Sequence, residues 1–107
     1  MEVVMSIKKK YSKNKELCKV TFQIAKELGD QFSKVSVVGD FNNWDPSANY
    51  FSETEKDGSY SVSVMLESNQ EHQFRYLGDG VNWFNEPDAN MEIESFYPGF
   101  HNSVVIV

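Results

Sequence analysis

The strongest constraint on what this chain can fold into is a repeat of two. Cys18, Val20, Phe22 and Ile24 are separated by Lys19, Thr21 and Gln23. Side chains of an extended strand point alternately to opposite faces, so this run predicts a strand with one face buried. Tyr60, Val62, Val64 and Leu66 repeat the pattern against Ser61 and Ser63, and Val35 and Val37 continue it within 34–39. In 72–77, Phe74 and Tyr76 fall on one face and Gln73 and Arg75 on the other. A short β-branched run at 103–107 closes the chain, and 6–11 reads as a further strand.

Turn chemistry separates these runs at close spacing. Leu28-Gly29-Asp30, Asp57-Gly58, Gly78-Asp79-Gly80 and Pro98-Gly99 supply the residues that tolerate tight reversals. Asp57-Gly58 marks a tight hairpin. Only 16–28 has a composition that could pass for a helix, and its β-branched alternation argues for strand. Short strands, frequent turns and no helical period predict an all-β antiparallel sandwich of about seven strands. At 107 residues the chain makes one domain spanning 1–107, with a Lys-rich extension over 1–17 that serves as an edge strand.

Charge narrows the choice of ligand. The net charge is −6, yet Lys8, Lys9, Lys10, Lys13, Lys15 and Lys19 crowd the start while acids dominate afterwards. An acidic domain repels phosphate backbones, which excludes nucleic acid as the main ligand. The lysine run has one aromatic neighbour, Tyr11, and no amphipathic helical stripe, so it reads as a solvated strand edge. No apolar run approaches the ~20 residues of a membrane helix, so no membrane partner is expected. The first ten residues have their apolar and charged parts in the wrong order for a secretory signal. Cys18 is the lone cysteine and reads as a reduced thiol, placing the chain in the cytoplasm.

Catalysis needs a convergent nucleophile, base and stabilising donors. His72 lies in a strand and His101 beside the last one; neither belongs to HExxH, and no Cys-x-x-Cys is present, so no metal or cofactor is expected. Gly78-Asp79-Gly80 lacks the lysine and following helix of a phosphate loop. Asp40 and Asp45 could imitate a glycosidase pair, but solvated aspartates beside a loop are ordinary in an acidic domain. The expectation is a protein that is not an enzyme.

The sharper signal is Gly39-Asp40-Phe41-Asn42-Asn43-Trp44-Asp45-Pro46. Asn amides donate and accept at once, as sugar hydroxyls do. An indole offers a flat apolar face to the C–H face of a pyranose. Trp83 repeats the Asn–Trp pairing after a turn, preceded by Asn82, and Arg75 lies on the polar face of its strand. Phe41 reads as core and Asn42 as a turn-stabilising residue. The bland alternative is that a loop tryptophan only covers the end of the sandwich.

Together these residues resemble a family 48 carbohydrate-binding module, also called the isoamylase early-set domain, seen too as the glycogen-binding domain of the AMP-activated protein kinase β subunit. The resemblance runs from about Lys19 to Val107. It is carried by Gly-Asp-Phe-Asn-Asn-Trp at 39–44, Glu-His-Gln-Phe-Arg-Tyr at 71–76, Asp-Gly-Val-Asn-Trp at 79–83 and Asn-Ser-Val-Val-Ile-Val at 102–107. With its Lys-rich start, the whole chain is similar to short stand-alone bacterial members. The resemblance implies an immunoglobulin-like sandwich that binds α-1,4-linked glucan (glycogen, starch or maltooligosaccharide) without catalysis. It assigns sugar stacking to Trp44 and Trp83, and hydroxyl contacts to Arg75 and Asn102, with Asn43, Asn82 and Phe100 in support. Three departures bear on the site. Arg75 stands where the kinase module has lysine, which turns a point donor into a planar fork. Asn82 is an added residue before Trp83, leaving the direction of that indole open. The loop 96–101 is bulkier and more aromatic than the kinase version.

A second reading stands beside this one. Early-set domains also pack on branching and debranching enzymes, so the chain could be a protein-interaction module. It would then associate with a glycan-metabolising enzyme, or with itself, through the Lys-rich edge and the loop 96–101.

Overall fold

A computed structural model describes residues 5–95 and 99–107 of the chain. Among them run β1 (Met5–Tyr11), β2 (Leu17–Ile24), β3 (Val35–Gly39), β4 (Glu53–Thr54), β5 (Tyr60–Glu67), β6 (Glu71–Gly78), β7 (Asn82–Phe84), β8 (Met91–Glu94) and β9 (His101–Ile106). Two antiparallel sheets form, one in the order β1-β2-β5-β4, the other in the order β3-β6-β9-β8 with β7 also paired to β6. The sheets pack face to face as an immunoglobulin-like sandwich.

The alternating runs explain the core. Cys18, Val20, Phe22 and Ile24 of β2 and Val62 and Leu66 of β5 meet Val35, Val37, Phe74, Tyr76 and Val105 from the other sheet, with Val107 just past β9. Phe22 lies against Phe74 with ring centroids 4.9 Å apart, and Tyr76 is struck edge-on by Phe51 at 5.3 Å. Each such aromatic side chain taken out of water contributes roughly 1.5–3 kcal/mol. Phe41 packs on this core, its ring stacked 6.1 Å from Phe22, as the sequence led us to expect.

Among the described residues, nine strands replace the expected seven or so, because β4, β7 and β8 are short. A strand of two to four residues carries too few alternations to stand out in sequence; its partner strand defines it. The turn expected at 28–30 is instead one turn of helix, α1 (Lys26–Gly29), with Lys26 and Asp30 paired at 2.6 Å.

The Lys-rich edge strand is present as β1, and one lysine departs from a solvated role. Lys9 Nζ donates to the Ile106 carbonyl at 2.7 Å and to Asn90 Oδ1 at 3.2 Å, and Ile7 N–H donates to Asp88 Oδ2 at 3.2 Å. These contacts stitch β1 to the opposite sheet and occupy part of an edge that would otherwise invite another strand. No helix among the described residues is long and apolar enough to cross a membrane.

The outward face of the second sheet is partly apolar. By register, Val38 pairs with Arg75 and Val104 with Gln73, so both share that face with Arg75. Leu77, next on the same face, pairs with Trp83. Val38, Leu77 and Val104 are nonetheless buried. Arg75 and Trp83 therefore stand on a face with an apolar floor.

Candidate functional site

The site begins where β3 ends. A Cβ on Gly39 would lie 2.6 Å from the Gln73 carbonyl oxygen and 2.7 Å from the Phe41 ring, so only glycine fits between β6 and the turn. A single 3₁₀ turn, Asp40–Asn42, follows. Asn42 holds it: Oδ1 accepts from Gly39 N–H at 3.0 Å, while Nδ2 donates to the Val37 carbonyl at 3.0 Å and to Asn49 Oδ1 at 2.8 Å. The turn-stabilising role expected of Asn42 is thus met by its side-chain amide.

The chain then enters the left-handed region twice in succession, at Asn43 (φ 58°) and Trp44 (φ 57°). Asparagine tolerates this conformation; for a bulky tryptophan it is an outlier that the surrounding structure has to hold. Trp44 N–H donates to the Gly39 carbonyl at 2.8 Å, closing the turn and leaving the indole 39% exposed.

Arg75 comes from the middle of β6, held outward because Phe74 and Tyr76 occupy the core. Beyond β6 the chain reverses through Asp79 and Gly80, both with positive φ. Asp79 Oδ1 accepts from Ser33 and Lys34 N–H at 2.8 and 2.9 Å, which fixes the reversal to the start of β3. Asn82 pairs with Gly78, and Trp83 emerges opposite Leu77 on the outward face. Its indole is 48% exposed and lies beside Arg75.

A buried polar clip secures this arrangement from behind. Glu86 N–H donates to Ser103 Oγ at 3.0 Å, that hydroxyl donates to Asn85 Oδ1 at 2.7 Å, and Asn85 Nδ2 donates to the His101 carbonyl at 3.1 Å. The segment after β7 is thereby fastened to β9. Glu86 itself is buried, accepting from Tyr76 Oη at 2.8 Å and Asp88 N–H at 2.7 Å. Burial raises the carboxyl pKa of Glu86, and burial together with the Glu86 charge raises that of Tyr76 well above the usual phenol value.

The elements converge on an open cleft of about 790 Å³, lined among the described residues by Trp44, Arg75, Trp83, Phe100 and Asn102, with Asp40, Gln73 and Ser95. Arg75 is its centre. The guanidinium carbon lies 5.5 Å from the Trp83 ring centroid and 5.8 Å from that of Phe100, a cation held by two aromatic faces. Arg75 Nε donates to Asn102 Oδ1 at 2.7 Å, and Asn102 Nδ2 donates to Gln73 Oε1 at 3.0 Å.

Five of the seven residues assigned from sequence therefore meet in one place, while Asn43 and Asn82 do not line the cleft. Asn102 is 6% exposed, and its amide accepts from Arg75 Nε through Oδ1 and donates to Gln73 through Nδ2 at the floor of the cleft. Gln73 and Asp40 also line the cleft, although the sequence reading did not assign them to a binding site. Gln73 was detectable as the residue two before Arg75, hence on the same strand face. Asp40 accepts from Gln73 N–H at 3.0 Å and shares 3.1 Å with His72 Nδ1, contacts that depend on the packing of β3 beside β6. Asp45 is absent from the lining; its Oδ1 accepts from Ser47 N–H at 2.8 Å in a local turn. Of the aromatic loop 96–101, residues 96–98 lie outside the described residues, while Phe100 joins the cleft. No group of three or more metal-ligating side chains occurs among the described residues. Compared with known proteins, the sequence matches no family model and no curated protein.

Proposed function

We propose that this chain is a non-catalytic α-glucan-binding module of the family 48, early-set type. The observation that carries this reading is the convergence of Trp44, from the turn after β3, and Trp83, from β7, on one cleft with Arg75. Two partly exposed indoles and a few fixed polar atoms suit a pyranose chain, whose sugar faces are apolar and whose edges are ringed by hydroxyls. The left-handed backbone at Trp44 supports the reading too, since strain retained at an exposed aromatic residue has no packing purpose.

A neutral oligosaccharide held this way binds modestly, with a Kd of about 10 μM to 1 mM for a short chain. In a cell such a module would anchor a glycan-metabolising enzyme to its polymer. The buried, free Cys18 suits a reducing compartment such as cytoplasm. Titration with maltoheptaose, followed by the fluorescence of the two tryptophans, tests the reading. Saturable quenching is expected, lost in Trp44→Ala and Trp83→Ala; no response at ~10 mM sugar overturns it.

A further inference from the structure

Arg75 is half-buried in a cleft and has no carboxylate partner among the described residues. Among those residues Lys26 pairs with Asp30, and the carboxylate of Asp40 is hydrogen-bonded to His72 and to Gln73 N–H. A charge removed from bulk water is normally paired, because lost hydration otherwise goes uncompensated. Here the compensation from protein is partial: two ring faces and one neutral amide.

The geometry of that partial compensation is informative. Trp83 and Phe100 flank the guanidinium and Asn102 holds Nε, while the Nη nitrogens have no hydrogen-bond partner among the described residues. An arginine held in this way presents a preformed two-pronged donor edge, the shape that matches a carboxylate or phosphate bidentately. Asp40 lines the same cleft but sits across β6, beyond the Gly39–Phe74 pair, with both oxygens engaged by His72 and Gln73. Trp83 and Asn102 come from β7 and β9, which pair with β6 along its other edge.

We infer that the preferred ligand of this cleft is an α-glucan segment bearing an anionic group, a phosphate monoester or a carboxylate, with that group on the Nη edge of Arg75, which has no hydrogen-bond partner among the described residues. The inference rests on the glucan reading and names the class of glucan. The indoles take sugar faces, and Arg75 takes the charge. The six lysines of residues 8–19 lie on and around β1 and β2, in the other sheet, and line no part of this cleft. The preference therefore depends on Arg75 and not on general attraction to lysine.

Isothermal titration of the full chain tests this with three ligands: maltoheptaose, maltoheptaose carrying one 6-phosphate, and maltoheptaose with one glucose oxidised to its 6-carboxylate. At ~50 mM salt the phosphorylated chain is expected to bind roughly tenfold tighter than the neutral one, the gap narrowing at ~500 mM. The carboxylate chain distinguishes the two anions, and a gain with either supports the inference. Arg75→Gln is expected to abolish the preference, and Arg75→Lys to keep part of it, as charge without the fork. Circular dichroism of each variant checks its fold, and the wild-type comparison stands without any variant. Neutral maltoheptaose binding as tightly as both anionic chains overturns the inference and leaves the glucan reading intact. A preference that persists in folded Arg75→Gln overturns the role of Arg75. No binding of any of the three overturns both readings.

Discussion

Arg75 Nε donates to Asn102 Oδ1 at 2.7 Å, joining the centre of β6 to β9 on the outward face of the sandwich. Asn102 spends its other amide atom on Gln73 Oε1 at 3.0 Å, so the three side chains form a relay with one direction. The ring faces of Trp83 and Phe100 lie beside the guanidinium and leave its Nη edge toward the cleft. A long, flexible side chain has thereby lost most of its rotamer freedom before any ligand arrives, which lowers the ordering cost of binding.

Asn102→Ala should release that restraint. Removing a hydrogen bond to a charged group costs about 1.5–3 kcal/mol, and part of this falls on the cleft as lost preorganisation. Maltoheptaose affinity is expected to drop about tenfold, with no greater loss in the Asn102→Ala/Arg75→Ala double variant than in Arg75→Ala alone. Arg75 is the only arginine in the chain, so its Nε–H resonance can be followed without ambiguity. Faster exchange of that proton in Asn102→Ala, measured without sugar, reads the restraint directly.

Trp44 should separate binding from stability. Its indole is largely out of the core and its backbone is left-handed, so Trp44→Ala is expected to remove glucan binding while moving stability by less than about 1 kcal/mol. Denaturant melts and affinity electrophoresis in glycogen gels check the two halves. A large loss of stability would mean that the indole serves the fold.

Gly39→Ala is expected to act in the opposite way. The added methyl meets a backbone carbonyl, which cannot rotate aside, so β3 and β6 must part or the turn must shift. A destabilisation of about 1–3 kcal/mol follows, as for other overpacked sites. Because the same turn carries Asp40 and Trp44, binding falls with it.

Glu86 should make stability depend on pH. Burial raises its carboxyl pKa above the ordinary value of 4.5. The folded chain therefore holds this proton more tightly than the unfolded chain. Its contribution is fully present below pH 4.5 and is lost as pH rises through the higher folded value. Glu86→Gln, a mimic of the protonated acid, is expected to gain stability relative to wild type at pH 7, with the difference shrinking as pH falls toward 4.5. Thermal melts of both proteins across that range provide the measurement.

Much of the sandwich was legible because a period of two is a local property. The alternation around Phe22, Val62, Phe74 and Val105 names an inward face whatever its partner strand. The turn at Asp57-Gly58 and the turn-forming amide of Asn42 were likewise local matters. Val38 and Leu77 were not legible: they break the alternation, being buried on the outward face beside Arg75 and Trp83. The short strands β4, β7 and β8 escaped for a related reason, since pairing and not composition makes them strands.

For the cleft, residue types and order along the chain pointed to Trp44, Trp83 and Arg75, and the family resemblance added Asn102. The tertiary structure alone decided their contacts. Asn102 bonds both Arg75 and Gln73, Gln73 lines the cleft, and Trp83 stands on the outward face opposite Leu77. The physical reason is that these relationships run between strands far apart in sequence. A side chain's face can be read from its neighbours one and two residues away. Its hydrogen-bond partner across a sheet depends on register, which packing of the whole sandwich sets.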